Sequence, residues 1–224
     1  SDNNGLTNTL TQDITVEQPP APPVPDPTLI NTVFDKLGKS SGSDCACSGW
    51  INRSLGTQGE SSTASGNSVM KFDNNEPDHI YQEFEVTPNA NYQIEVEVSF
   101  KANAGKSNPA SLEFRVLAGI GYDSGYTPTY YTETTAFPQD GYGYSSVAQT
   151  EVDANNLMIK VLNNPDDTSY IKYILNFNSG ANNSVALFAR GIGGLATGSS
   201  DNERYGYSSG DEEIRIDNLV VTAL

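Results

Sequence analysis

The chain has 224 residues, with 28 acidic and 12 basic side chains and a formal net charge of −16. This balance argues against nucleic acid as a partner, because phosphate binding requires a basic surface, and it also disfavours docking on an anionic membrane. A single histidine argues against histidine-rich metal sites and most histidine-based catalytic triads. No stretch approaches the roughly 20 apolar residues of a membrane-spanning helix.

Residues 1–28 are predicted to form a tether. Six of the twelve prolines fall within residues 19–27, which favours an extended polyproline II spacer; a linker between domains is the alternative. The first five residues, SDNNG, resemble the stretch after the lipidated cysteine of Bacteroidetes surface lipoproteins. That resemblance implies a lipid anchor upstream of Ser1 and a place on the outer-membrane surface of a Gram-negative bacterium, whereas the alternative is an arbitrary polar end.

From Leu29 onward the dominant hydrophobic period is two. Residues 92–100 alternate apolar and polar side chains without a break, as a strand with one buried face does. The same pattern predicts further strands at residues 29–34, 68–72, 80–86, 111–117, 157–162, 169–177, 184–189 and 212–222. Turn-forming clusters separate them. We therefore predict that residues 29–224 form a single, all-β antiparallel sandwich.

Two long loops interrupt this regular spacing. Residues 118–149 show little alternation, and loops longer than about 12–15 residues are usually functional or disordered. Residues 191–210 form the second loop. The two loops hold eight of the twelve tyrosines, namely Tyr122, Tyr126, Tyr130, Tyr131, Tyr142, Tyr144, Tyr205 and Tyr207. This aromatic content argues against disorder.

Four segments together resemble calcium-containing carbohydrate-binding modules of jelly-roll type, as in Bacteroidetes surface glycan-binding lipoproteins. Residues 29–35 (LINTVFD) are similar to the opening strand of these modules, and Trp50 stands where they often carry a tryptophan. Residues 80–92 resemble their strand–turn–strand segment, and residues 214–221 resemble their closing strand, in which an aspartate interrupts the apolar run. The resemblance implies a jelly-roll β-sandwich that binds an extracellular polysaccharide.

The same resemblance implies a structural Ca²⁺ between the first and last strands, with Asp35 and Asp217 as acidic ligands. Calcium takes about six to eight oxygen ligands, so backbone carbonyls and other groups would complete the shell. The alternatives are an ordinary surface acid for Asp35 and an edge-strand bulge facing water for Asp217.

The tyrosine loops are the predicted carbohydrate site. A sugar stacks its apolar ring face on an aromatic side chain, and tyrosine adds a polar tip to that flat body. Arg190, at the end of the strand before the second loop, is a candidate for contact with hydroxyls or carboxylates; an internal ion pair is its alternative. For the tyrosines, the alternative is that roughly half of them pack over the sandwich as a satellite core.

Cys45 and Cys47 are the only cysteines. An even number of cysteines in an exported protein favours a disulfide. A bridge across a single residue closes a small strained ring, which suits a rigid loop tip. A metal site would need further ligands nearby.

Three classes of function are open to this sequence. We favour non-catalytic polysaccharide binding by a monomer, since the chain lacks the Glu-x-Asp-x-x-Glu strand of jelly-roll laminarinases and the Gln-x-His and Arg-x-Glu-x-Arg strands of jelly-roll alginate lyases. A lyase or glycoside hydrolase is the first alternative, and an adhesin-like module with a protein partner is the second. The net charge of −16 opposes attraction of acidic polysaccharides. A neutral β-glucan such as laminarin is therefore ranked above alginate, and the acidity suits a marine bacterium.

Overall fold

The computed structural model describes residues 22–35, 49–50, 52–55, 59–64, 66–72, 78–101, 109–130, 142–192 and 213–224. Within these ranges the strands are β1 (Glu60–Ala64), β2 (Asn67–Phe72), β3 (His79–Glu85), β4 (Asn91–Phe100), β5 (Ser111–Ala118), β6 (Asn156–Leu162), β7 (Ile171–Asn178), β8 (Ser184–Ile192) and β9 (Ile214–Ala223). A short helix, α1 (Val147–Thr150), and 3₁₀ turns at Arg53–Leu55, Gly119–Gly121 and Asp153–Asn155 complete the regular structure of these ranges. The described part of the chain holds no helix with the length and apolar character needed to cross a membrane.

The strands form two antiparallel sheets that pack face to face. The five-stranded sheet has the order β1-β2-β9-β4-β7, and the four-stranded sheet has the order β3-β8-β5-β6. Neighbouring strands are antiparallel in both sheets. The predicted all-β antiparallel sandwich is therefore confirmed.

The hydrophobic core lies between the sheets and follows from the period of two. In β4, Tyr92, Ile94 and Val96 point inward and are fully buried, while the residues between them lie on the outer face. The inward residues of β2, β5, β8 and β9 meet them in one continuous cluster. Burying each large apolar side chain contributes roughly 1.5–3 kcal/mol, so this pattern is the main source of stability.

Residues 29–34 do not form the predicted first strand. Asn31 and Phe34 have φ angles of 50° and 51°, and the Phe34 N–H donates to the Asn31 carbonyl at 3.1 Å, which closes a turn. The segment is still fixed to the sandwich, because Gln82 Oε1 accepts from the Ile30 N–H at 2.8 Å and Trp50 Nε1 donates to the Asn31 carbonyl at 2.9 Å. The spaced apolar residues of this segment attach it to the sandwich and do not form a strand.

Most of the predicted tether lies outside the described residues. Residues 22–28 are described, and they have no regular secondary structure. Val24 packs against the core between the sheets, and Asp26 Oδ1 accepts a hydrogen bond from the Ala223 N–H at 2.7 Å. The end of the proline-rich segment is therefore in contact with the sandwich.

Candidate functional site

The described parts of the loop between β5 and β6, residues 119–130 and 142–155, fold over the outer face of the four-stranded sheet. Outward-facing Tyr81 of β3 and Phe188 of β8 pack there with Tyr142 and Tyr144 of the loop, in an apolar cluster distinct from the core between the sheets. For this reason β5 and β8 are buried along almost their whole length. The predicted tyrosine-rich loop therefore packs on a sheet face and not at the end of the sandwich.

Polar cross-links fix the shape of this loop. The Gln149 side-chain amide donates to the Gly121 carbonyl at 2.7 Å and to Asp123 Oδ1 at 3.2 Å. Ser146 caps α1 by accepting a hydrogen bond from the Gln149 N–H at 3.3 Å, which satisfies one of the free N–H groups at a helix start. The loop therefore holds its conformation by its own contacts as well as by packing on the sheet.

Tyr142 and Tyr144 belong to the covered interior of this assembly. They are 7% and 0% exposed, and the Tyr144 hydroxyl donates to the Ala118 carbonyl at 2.8 Å. The Tyr142 ring meets Tyr81 edge to face, with centroids 5.2 Å apart. Burial raises the pKa of Tyr144 well above its ordinary value. Both rings take the satellite-core role that the sequence allowed for part of the tyrosine set.

A buried carboxylate joins the loop to the sheet. Glu83, on the outer face of β3, is 6% exposed and accepts from the hydroxyls of Tyr81 and Tyr126 at 2.5 and 2.7 Å and from the Gly143 N–H at 2.8 Å. Burial raises the pKa of Glu83, and these three hydrogen bonds oppose the rise. The sequence analysis missed this residue, because a glutamate on the outer face of a strand looks like an ordinary solvent-facing acid.

Arg190 lies in a second buried network at the far side of the same face. Its Nε donates to Glu113 Oε1 at 2.8 Å, and its Nη1 lies 3.0 Å from Glu151 Oε1. Arg115 binds the same Glu113 carboxylate through two nitrogens, at 2.7 and 3.1 Å. Arg190 is 5% exposed, so the structure places it in the internal ion pair that the sequence offered as the alternative to ligand contact.

Three of the predicted tyrosines remain accessible on the outside of the loop. Tyr122 and Tyr126 are half-buried, and their rings meet edge to face with centroids 5.5 Å apart. Tyr130 is 38% exposed. The Tyr122 hydroxyl hydrogen-bonds the Ser184 hydroxyl at 2.9 Å, and the Tyr130 hydroxyl is close enough to Ser184 to interact with it. We call Tyr122, Tyr126 and Tyr130 the tyrosine surface.

Two clefts adjoin the tyrosine surface. The first has a volume of about 380 Å³ and lies between Tyr122, Tyr126 and the turn before β8, which contributes Asn182. The second has a volume of about 350 Å³ and lies between Tyr130, Glu85 and residues 25–28. Both volumes fall at the lower end of the roughly 300–1,000 Å³ typical of small-molecule sites.

The remaining predicted site residues lie outside the described part of the chain. These are Tyr131, Tyr205, Tyr207, Cys45 and Cys47. The tyrosine pair of the second loop and the disulfide therefore stay predictions.

The two predicted calcium ligands lie close enough for their charges to interact. Asp217 is buried, whereas Asp35 is exposed. Burial raises the pKa of Asp217, and the carboxylates of Glu97 and Asp35 add to the rise, while hydrogen bonds from Asn218 and Asn67 oppose it. A cation between the two carboxylates would relieve this repulsion. Among the residues that the structure describes, no three His, Cys, Asp or Glu side chains are grouped to hold a metal, so carbonyls or amides would have to supply the other ligands.

Comparison with known proteins gives similarities of fold. No family model and no curated protein sequence matches this chain. Solved structures do match, and they include carbohydrate-binding modules of the CBM4, CBM16, CBM61 and CBM22 types. A CBM4 structure has a TM-score of 0.45 at 10% identity, over 88% of this chain and 100% of that one. The CBM22-1 xylan-binding domain of Paenibacillus barcinonensis Xyn10C has a TM-score of 0.39 at 13% identity, over 78% and 85%. The K1 cleaved adhesin domain of Lys-gingipain from Porphyromonas gingivalis W83 has a TM-score of 0.39 at 12% identity, over 78% and 94%.

Proposed function

We propose that this domain binds an extracellular polysaccharide through the tyrosine surface, without catalysis. The observation that carries the proposal is the arrangement of Tyr122, Tyr126 and Tyr130: three accessible rings, held against a cross-linked loop, beside clefts of about 380 and 350 Å³. The sequence resemblance to carbohydrate-binding modules supports the same function.

The arrangement suits sugar binding because its rings are fixed before the ligand arrives. Tyr126 is tied to Glu83, and Tyr122 is tied to Ser184. Holding a side chain in its bound position in advance reduces the entropy lost on binding, which is about 0.5–1.5 kcal/mol per immobilised side chain. Preformed aromatic rings beside a polar cleft suit a pyranose ring, which has an apolar face and a hydroxyl rim.

The roles of the buried carboxylates favour binding over hydrolysis. A glycosidase needs two carboxyl groups that flank the scissile bond. Glu83 accepts three internal hydrogen bonds, and Glu113 is held by Arg115 and Arg190. Both acids serve to join chain segments, and this use supports a binding module over a lyase or hydrolase.

We rank a neutral β-glucan such as laminarin above alginate as the ligand. Asp123 lines the first cleft, and Asp26 and Glu85 line the second. These carboxylates would repel uronates and sulfates at short range, where salt screens little. The net charge of −16 acts in the same direction at longer range. The proposal includes a monomeric domain, anchored by lipid at the bacterial surface, where many copies would supply avidity.

The proposal also includes a structural calcium ion held by Asp35 and Asp217. A ligand that binds only the folded state stabilises it by about 2.7 kcal/mol at a hundredfold excess over its Kd. EDTA is therefore expected to lower the Tm of the calcium-loaded protein, measured by calorimetry. An Asp217→Asn variant should show no such shift. An unchanged Tm of the unmodified protein in EDTA would overturn the calcium assignment.

Affinity gel electrophoresis tests the proposed function directly. The unmodified protein is run against laminarin, alginate, agarose and carrageenan, with an assay for new reducing or unsaturated ends on the same samples. Retardation in one gel without product supports a binding module. Product release would establish a lyase or hydrolase, and mobility unaffected by every glycan would favour an adhesin-like module with a protein partner.

A matched pair of tyrosine variants then locates the site. Tyr130→Ala is expected to weaken binding about tenfold, or about 1.4 kcal/mol, because it removes an accessible ring of the tyrosine surface. Tyr170→Ala is the control, since Tyr170 is 40% exposed against 38% for Tyr130 but adjoins β7 of the other sheet. Equal effects of the two variants would place the ligand elsewhere.

A further inference from the structure

The proline-rich segment ends on the sandwich itself, beside the tyrosine surface. Val24 and Leu29 pack against the core between the sheets, and between them Asp26 Oδ1 accepts from the Ala223 N–H at 2.7 Å. Residues 25–28 are thus held at both ends and bridge over the surface of the domain. They form one wall of the cleft of about 350 Å³ whose opposite side carries Tyr130 and Glu85.

Both walls of this cleft are rigid. Proline fixes its own φ near −65°, so Pro25 and Pro27 restrict the first wall. On the other wall, the Thr87 N–H donates to the Tyr92 hydroxyl at 2.7 Å, and the Ser179 hydroxyl donates to the Thr87 carbonyl at 2.7 Å. A cleft between two walls of this kind exists before a ligand enters it, which reduces the ordering cost of binding.

The lining defines the chemistry of a ligand. The rings of Pro25, Pro27 and Tyr130 offer apolar surfaces, and Asp26 and Glu85 offer carboxylate acceptors for hydroxyl donors. Among the described residues of this lining, none carries a positive charge. A hydroxyl-rich, uncharged ring with one apolar face fits this combination, whereas a uronate or sulfate would meet two carboxylates with no compensating cation.

The cleft is continuous with the rest of the proposed site through Ser184. The Tyr122 hydroxyl, which borders the other cleft, lies 2.9 Å from the Ser184 hydroxyl, and the Tyr130 hydroxyl, which borders this cleft, is close enough to Ser184 for the two side chains to interact. Glu85 pairs with Ser184 in the β3–β8 register. A sugar in the proline-walled cleft would therefore adjoin a sugar at the first cleft.

We propose that the end of the proline-rich segment is part of the binding site: residues 25–28, Tyr130 and Glu85 form a subsite for one uncharged sugar unit of the bound polysaccharide. This inference rests on the proposed function and extends it. It makes the segment a contributor to recognition, in addition to its predicted role as a spacer.

The test compares two double variants and one single variant with the unmodified protein. Pro25→Ala with Pro27→Ala removes both ring faces and keeps the Asp26 anchor. Pro22→Ala with Pro23→Ala makes the same chemical change at exposed prolines outside the cleft lining. Glu85→Gln is a third variant that changes an exposed side chain with little risk to folding. Retardation in laminarin, agarose, alginate and carrageenan gels is measured for each variant, with the circular dichroism spectrum as a check of folding.

We expect the Pro25/Pro27 variant to bind at least about fivefold more weakly and Glu85→Gln about threefold more weakly, with the Pro22/Pro23 variant unchanged. If the unmodified protein is retarded and both proline pairs behave alike, this inference is overturned and the proposed function stands. Retardation only by alginate or carrageenan overturns the uncharged subsite. Retardation by none of the four overturns the proposed function and this inference with it.

Discussion

The described parts of the loop between β5 and β6 cover the outer face of the four-stranded sheet (the covered face), whereas side chains described on the outer face of the five-stranded sheet (the open face) are exposed. On the covered face Glu113, Arg115 and Arg190 are buried, and both arginines are bonded to Glu113. On the open face Ile174 and Val220 are 55% and 48% exposed. The two faces differ in hydration. Polar groups on the covered face have lost contact with water and therefore need hydrogen-bond or ion-pair partners within the protein.

The open face shows what the same kinds of side chain do when water remains. Lys172 Nζ lies 3.0 Å from Glu95 Oε2, and the Asn218 amide donates to Glu97 Oε2 at 2.9 Å. The hydrogen bond to Glu95 raises the pKa of Lys172, yet the ammonium stays in solvent. Such surface pairs contribute little to stability, so this face tolerates change that the covered face would not.

The largest expected difference between the two faces is in the stability lost when one carboxylate is neutralised on each. Glu113→Gln removes the carboxylate partner of the buried Arg115 and leaves the buried Arg190 with Glu151 alone, and we expect a loss of about 3–5 kcal/mol in the free energy of unfolding. Glu95→Gln is the control, and its urea midpoint should be unchanged. Similar midpoints for the two variants would show that the covered face is hydrated.

A smaller loss of stability is expected when one buried hydroxyl is removed from the loop that covers the four-stranded sheet. Tyr144→Phe removes the donor to the Ala118 carbonyl and leaves that buried oxygen without this bond, at an expected cost of about 1–2 kcal/mol. The change is measured by urea denaturation. Tyr130→Phe, at an exposed position, should unfold at the same urea concentration as the unmodified protein. A loss of stability in Tyr130→Phe as large as that in Tyr144→Phe would contradict the distinction between buried and exposed hydroxyls.

The smallest effect concerns pH. Because burial raises the pKa of Glu83, the folded protein holds this proton more tightly than the unfolded chain. Its contribution to stability is therefore complete below the ordinary carboxyl value of 4.5 and is lost as the pH rises through the folded value.

Glu83→Gln should flatten this part of the curve of stability against pH, measured by urea unfolding from pH 4 upward. Glu95→Gln should leave the shape of the curve as it is. A Glu83→Gln curve parallel to that of the unmodified protein would mean that the carboxylate is not desolvated.

The sequence predicted strands well where local alternation agrees with tertiary structure. Residues 92–100 match β4 (Asn91–Phe100) almost to the residue, because one face of that strand is core and the other is water. Strand β1 was missed, since ESSTA contains no apolar alternation. The turn at Asn31 was missed because its positive φ interrupts a segment with a strand-like apolar pattern.

The candidate site was predicted at the level of the loop and not of the individual side chain. Tyr130 and Tyr144 look alike in sequence, and only the packing of the loop on β3 and β8 separates an exposed ring from a buried one. Likewise, Glu113 and Arg115 alternate with apolar residues as a solvent-facing pair would. They are buried by the loop between β5 and β6, and the position of that loop depends on tertiary contacts that the local sequence pattern does not show.

The bond between Asp26 and Ala223 has a mechanical consequence. A pull applied through the N-terminal segment would act first on this hydrogen bond and on the packing of Val24, before any strand is unpaired. One hydrogen bond contributes only about 1 kcal/mol, while β9 is paired with β4 over most of its length and with β2 over residues 214–216. Under tension the segment should therefore detach at low force and leave both sheets folded.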